Sequence, residues 1–271
     1  MELNTLVHPT AVVHPSAILE PGVIVEAYAF IGPNVRIGEG TIIHTHAIIM
    51  ENVIIGKNCE IFPGAVIGAP PQDLRYRGEK TSVIIGDNNK IREFVTIHRA
   101  LEEGCTEIGS NNLLMAYSHI GHNCKVGNNV VMANYVGISG HVVIEDGAVF
   151  GGIVGVHQWV RVGRLAMIGG YSKVVQDVPP YMIVDGRPAK VAGPNKVGMR
   201  RAGIPLSVRN QIKKACLILF HSKLPLSKGI KKVEEEIPDK SEELIRLLEF
   251  VEAMRKSRAG RQLEHLARRR G

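Results

Sequence analysis

Three histidines of this 271-residue chain, His122, His141 and His157, carry its most legible chemistry, and His98 stands close enough in sequence to join them. A neutral imidazole can take a proton from a hydroxyl or ligate Zn²⁺. Gathered on one surface, such residues indicate either general-base catalysis or a metal site. No Ser or Cys stands in a matching His–Asp arrangement. Direct attack by a substrate hydroxyl on a bound acyl donor therefore fits better than a covalent acyl-enzyme. That attack creates an oxyanion, and Gly121 before His122 and Gly140 before His141 leave backbone N–H groups accessible to stabilise it.

The elements that must position these residues follow from a six-residue period. Aliphatic residues open successive hexads at Val7, Val13, Leu19, Val25, Ile31, Ile37, Ile43, Ile49, Ile55, Ile61 and Ile67, with small or modest residues such as Ala11, Ala29 and Cys59 at the fifth position. A helix needs apolar spacings of three and four, and a lone strand alternates by two. A period of six fits a parallel β-helix, one hexad to a face. Three hexads per turn stack residues eighteen apart, about 4.8 Å along the axis. Positions one and five face the core and the rest face out. The hexads opening at Ile120, Ile138 and Val156 then share one face, so His122, His141 and His157 project outward together. His98 joins them if the break near Ala100–Glu107 is an insertion within a single turn.

A first break, G-A-P-P-Q-D-L-R-Y-R-G-E-K-T-S from Gly68 to Ser82, is too polar and too rich in Pro and Gly to continue the coil, and reads as a functional loop. Hexads resume at Ile85 and, after the second break, run from Ile108 to Val174. A connector through Pro188 and Pro194 follows. Helical spacing then appears over Pro205–His221 and Asp239–Ser257, with Asp239 and Ser241 as cap candidates and Leu244, Leu247, Leu248 and Val251 on one face. A shorter basic helix is expected near Ser227–Glu236, and a frayed R-R-R-G tail. The expected division is a β-helix over 1–189 and a basic α-helical domain over 190–271.

Charge follows that division. The net +7 arises from the last 82 residues, with 20 Lys/Arg against 9 Asp/Glu, while the rest is net acidic. Such a patch attracts an acidic or phosphate-bearing partner. Interleaved aromatics are missing, so no nucleic acid is expected. No stretch approaches 18 consecutive apolar residues, so no membrane span is expected, and no basic leader with an apolar run opens the chain. The four cysteines lack C-x-x-C spacing. Cys59 and Cys124 fall on inward positions, as reduced, inert packing in a cytoplasmic protein.

Four stretches are shared with one family: P-P-Q-D-L-R-Y-x-G-E from Pro70, I-R-E-F-V-T-I-H-R from Ile91, N-L-L-M-x-x-S-H-I-G-H-N-C from Asn112, and V-H-Q-W through G-G-Y-S-K-V-V-Q-D-V-P-P-Y to Tyr181. Over nearly its whole length the chain resembles the UDP-N-acetylglucosamine O-acyltransferases of lipid A biosynthesis. The resemblance implies a homotrimer of left-handed β-helices with active sites between subunits. It implies transfer of an (R)-3-hydroxyacyl group from the phosphopantetheine arm of acyl carrier protein to the 3-hydroxyl of the UDP-sugar, without a metal or other cofactor. It places the general base on His122 and the oxyanion amide on Gly140. Asp73, His119, His141 and Gln158 match sugar-nucleotide or acceptor positions, and His157 lines the same cleft. Gly170 matches the position limiting acyl length, and Arg201 a contact to the nucleotide phosphates. The basic domain would receive the acidic carrier protein.

The chain departs from the family at three positions. Asn123 follows the base where some members carry Asp, which removes a carboxylate partner there. Ala202 replaces a second basic residue beside Arg201, and Arg187 stands where Asn is frequent. Two other readings stay open on the residues: N-acylation of a 3-amino UDP-sugar by the same base, and a histidine–metal enzyme resembling the gamma-type carbonic anhydrases, although H-x-x-H at His119 and His122 is narrower than that family's spacing.

Overall fold

The computed structural model describes residues 4–267, so the expected R-R-R-G tail lies outside the described residues. The hexads fold into a left-handed parallel β-helix of two- to four-residue strands, arranged as three sheets of 11, 9 and 8 strands, the first of which is extended by the two longer strands of a terminal hairpin. Each face consists of a short strand and a tight turn. The fourth hexad position adopts the left-handed conformation, with φ near +55 to +67° at Asn34, Asn52, Asn123, His141 and Trp159. Asn tolerates that conformation best among residues with a side chain, which explains the repeated Asn in these turns.

The core is one column of stacked first- and fifth-position side chains, including Ile31, Ile49, Ile67, Ile97, Ile120, Ile138 and Val156, all essentially inaccessible. Each fully buried Ile or Val contributes on the order of 1.5–3 kcal/mol, so a thin column becomes stable through many coils. The first opening, Val7, is 44% exposed because its strand ends its sheet, paired among the described residues only with Ile24–Val25. Both breaks in the period are insertions within a single turn. Val53 pairs Val83 across the Pro70–Thr81 loop. Thr96 pairs His119, 23 residues on rather than 18, across the 100–104 insertion. The condition that brings His98 beside the other histidines is therefore met.

The expected connector is a β-hairpin. Met182–Gly186 adds in parallel to Met167–Ile168 and turns back as Ala189–Pro194. The hexad spacing has lapsed there, and a Gly-Arg-Pro turn hides the pairing in sequence. Beyond it come α1 (Lys196–Arg201), α2 (Leu206–Phe220), α3 (Leu226–Glu236), α4 (Glu242–Lys256) and α5 (Gln262–Ala267). Ser241, and not Asp239, caps α4, its Oγ accepting the Leu244 N–H at 3.3 Å. Leu244, Leu247, Leu248 and Val251 join Ile212, Ala215, Cys216 and Met199 in a second core that reaches the β-helix through Tyr181 and Met182. Asp177 fastens the chain's end: its buried carboxylate accepts from Arg161 and from the Gln262 N–H, while its own N–H donates to Gly260. No described helix is long and apolar enough to cross a membrane.

Candidate active site

One cleft of about 560 Å³ lies along the sheet that carries His119, and its lining includes Gln72, Asp73, His98, His122, Gly140 and His157. His122 is at its centre and only 8% exposed. Its Nδ1 lies 2.9 Å from the Asn123 side-chain oxygen. That oxygen also accepts the Leu101 N–H at 2.8 Å, while the Asn123 amide nitrogen donates to Leu101 and Glu103 carbonyls. These backbone partners fix the amide's orientation, so the oxygen, which can only accept, faces Nδ1. The proton of neutral His122 therefore sits on Nδ1 and the Nε2 lone pair is free. A carboxylate is not lost from the base altogether: Asp73 Oδ2 stands 3.8 Å from Nε2. The Asp73 carboxyl is held well below the usual carboxylate range, chiefly by Arg75, whose guanidinium donates to both its oxygens.

Gly140 faces the free nitrogen. A Cβ there would come within 2.4 Å of His122 Nε2. The third hexad position, which Gly140 occupies, is proline at Pro9, Pro15, Pro21, Pro33 and Pro63. The turn asks for no N–H at that place, so the Gly140 amide has no acceptor among the described residues. Gly121 keeps that amide open, since a Cβ on Gly121 would lie 2.8 Å from the Gly140 nitrogen.

The remaining histidines surround this pair. His98 is buried and pushed down to about 4, first by desolvation and then by His119 and His122. His119 meets it edge to face at 4.8 Å, is also lowered by burial, and shares a 2.8 Å hydrogen bond with Thr96. His141 is lowered to about 4, mainly by burial; it stacks on Trp159 at 3.8 Å and meets the His122 edge at 4.9 Å. His157 and Gln158 also line the cleft. Gly170 and Arg201 lie elsewhere. Gly170 neighbours Gly152, with room for a Cβ, and Arg201 is exposed in the last turn of α1. Among the described residues no three His, Cys, Asp or Glu side chains converge as metal ligands. Cys59 and Cys124 are buried, and burial pushes the Cys124 thiol up to about 12.

Sequence reasoning did not find the Asp73–Arg75 clamp, the Asn123–Leu101 link or the His141–Trp159 stack. The Asp-x-Arg spacing in the loop was a usable signal for the first. The other two depend on which residues the insertion and the eighteen-residue stacking bring together.

Comparison with known proteins settles the family. Residues 177–261 match the model described as UDP N-acetylglucosamine O-acyltransferase, domain 2, and residues 34–69 and 105–140 match the bacterial transferase hexapeptide model. The acyl-[acyl-carrier-protein]–UDP-N-acetylglucosamine O-acyltransferase of Thermodesulfovibrio yellowstonii is 49% identical over 249 residues, covering 91% of this chain and 96% of that one. This chain belongs to the UDP-N-acetylglucosamine O-acyltransferase family. Solved structures agree in fold. LpxA from Acinetobacter baumannii gives a TM-score of 0.85 at 40% identity, covering 90% of this chain and 96% of its own. LpxA from Bacteroides fragilis, a UDP-N-acetylglucosamine acyltransferase, gives 0.88 at 39%, covering 91% and 97%.

Proposed function

We propose that this acyltransferase moves an (R)-3-hydroxyacyl group from acyl carrier protein to the 3-hydroxyl of UDP-N-acetylglucosamine, opening lipid A biosynthesis in the cytoplasm. The observation that carries this reading is the pairing of His122 Nε2, which lines the cleft while Nδ1 faces the Asn123 oxygen, with the Gly140 amide beside it, which has no acceptor among the described residues. His122 accepts the hydroxyl proton as the sugar oxygen attacks the thioester carbon. The carbonyl oxygen gains the negative charge and receives the Gly140 N–H. Collapse re-forms the carbonyl, breaks the carbon–sulfur bond, and returns the proton from His122 to the departing thiolate. The Nδ1 contact to Asn123 holds the ring in the required tautomer throughout.

Asp73, His98, His119, His141, His157 and Gln158 are assigned to holding the acceptor in the cleft. Neutral His98 and His119 suit uncharged hydroxyl and amide groups. A homotrimer would wall the open side of the cleft with a second subunit, where Arg201 could reach nucleotide phosphates and Gly170 could bound the acyl chain. The basic helical domain would receive the carrier protein.

The test is transfer by purified protein from 3-hydroxyacyl carrier proteins of several lengths to UDP-N-acetylglucosamine or to its 3-amino analogue. Ester product with the first sugar is expected. Amide product from the amino sugar alone would keep base and donor but change the acceptor, and no product with either would overturn the reading.

A further inference from the structure

The outward positions on the cleft's sheet run His119, Gly137, Gly155, Lys173 in successive coils. At about 4.8 Å per coil, Lys173 lies about 14 Å along the axis from His119. The two positions between them have no side chain. A Cβ on Gly155 would meet nothing within 4 Å, and one on Gly137 only the Val154 carbonyl at 4.0 Å. The result is a bare backbone floor leading from His119, three residues before the reacting His122, to a lysine. Lys173 is exposed and lines the same cleft, and no other Lys or Arg does so among the described residues. It has no carboxylate partner among the described residues, whereas Arg75, Lys57, Lys90 and Lys125 all have one. A lone ammonium left unpaired at the end of an open channel is a ready site for an anion.

We propose that Lys173 binds a phosphate group of a substrate whose reacting end lies at His122. The inference rests on the transfer reaction proposed above. Both substrates of that reaction carry phosphate, one as the diphosphate of the sugar nucleotide and the other as the phosphodiester of the pantetheine arm. The direction of the floor favours the arm. It leads away from His122 toward Gln176 and Asp177, against which the last part of the helical domain packs through Gly260 and Gln262. A carrier protein seated on that domain would feed its thioester down the floor and leave its phosphodiester near Lys173. An ammonium–phosphate contact is a charge-assisted hydrogen bond, and its loss should cost about tenfold in affinity.

Calorimetric binding of phosphopantetheine, of pantetheine and of UDP-N-acetylglucosamine to the full-length protein tests this, with Lys173→Met keeping the aliphatic stem and Lys173→Arg restoring the charge. The wild type should bind phosphopantetheine about tenfold more tightly than pantetheine. Lys173→Met should abolish that preference and Lys173→Arg recover it. If Lys173→Met weakens UDP-N-acetylglucosamine by that factor and leaves phosphopantetheine alone, the phosphate contact stands with the nucleotide as its source. Equal binding of all three probes by wild type and Lys173→Met would overturn the proposal, as would a wild type that binds none of them. Turnover measured in parallel separates the two ideas, because phosphate-dependent binding with no acyl transfer would count against the reaction and not against the lysine.

Discussion

Replacing Gly140 by alanine adds one carbon at the position that matters most to the base. That carbon would lie 2.4 Å from His122 Nε2, 2.5 Å from Cε1 and 2.9 Å from Cδ2. Non-bonded heavy atoms settle at about 3.5–4.0 Å, so the ring must retreat by roughly 1 Å. It cannot do so freely. Its Nδ1 is tied to Asn123 at 2.9 Å and its edge abuts His141 at 4.9 Å. Rotating away breaks the contact that sets the tautomer. A misplacement of about 1 Å in a reacting group costs about a hundredfold in rate. Gly140 does not have a positive φ, so alanine itself fits the backbone and the coil should persist. Single-turnover and steady-state acyl transfer, with thermal melting as the fold check, would measure this. Gly140→Ala should lose about a hundredfold in kcat with a melting temperature near that of Gly193→Ala, a control site where a Cβ meets nothing within 4 Å. A Gly140→Ala enzyme within threefold of wild type would refute the placement of the base against Gly140.

Gly121→Ala should cover the Gly140 amide, because its Cβ would sit 2.8 Å from that nitrogen. Removing an oxyanion donor costs about 10²–10³ in kcat, and an unchanged kcat would exclude that amide from the reaction. Stability should depend on pH through His98 and His141. Burial holds both at about 4 against an ordinary 6.5, so the unfolded chain binds protons that the folded one does not. Their contribution is complete above pH 6.5 and is lost as pH falls toward 4. Melting temperature should drop from pH 7 to pH 5, less steeply in His98→Gln, and parallel slopes for the two proteins would contradict this. Gly170→Met should shorten the preferred acyl chain, since a long side chain would occupy space that the glycine leaves open, a Cβ there meeting only Gly152 at 3.4 Å or more. An unchanged chain-length profile would remove Gly170 from that role.

The β-helix was legible because its cause is local and repeated: Ile120, Ile138 and Val156 point inward for the same reason as every other hexad opening. The same periodicity placed His122, His141 and His157 on one side. His98 required knowledge of where the 100–104 insertion falls, and the pairing of Thr96 with His119 supplies it. The Met182–Pro194 hairpin was hidden because a strand that joins a finished coil need not keep its period. Asn123 shows a deeper limit. Its identity suggested the loss of a partner for the base, yet its side chain holds His122 through a backbone N–H 22 residues away. A carboxylate near Nε2 comes instead from Asp73, on a loop whose reach no spacing rule describes.

The most direct measurement is acyl transfer by His122→Ala, read beside its oligomeric state and melting temperature. His122 points outward from the coil and adds nothing to the core column. The substitution should therefore abolish ester formation while leaving the assembly and its melting temperature as in the wild type. Ester formation at a substantial fraction of the wild-type rate, in a folded His122→Ala protein, would show that another group removes the proton.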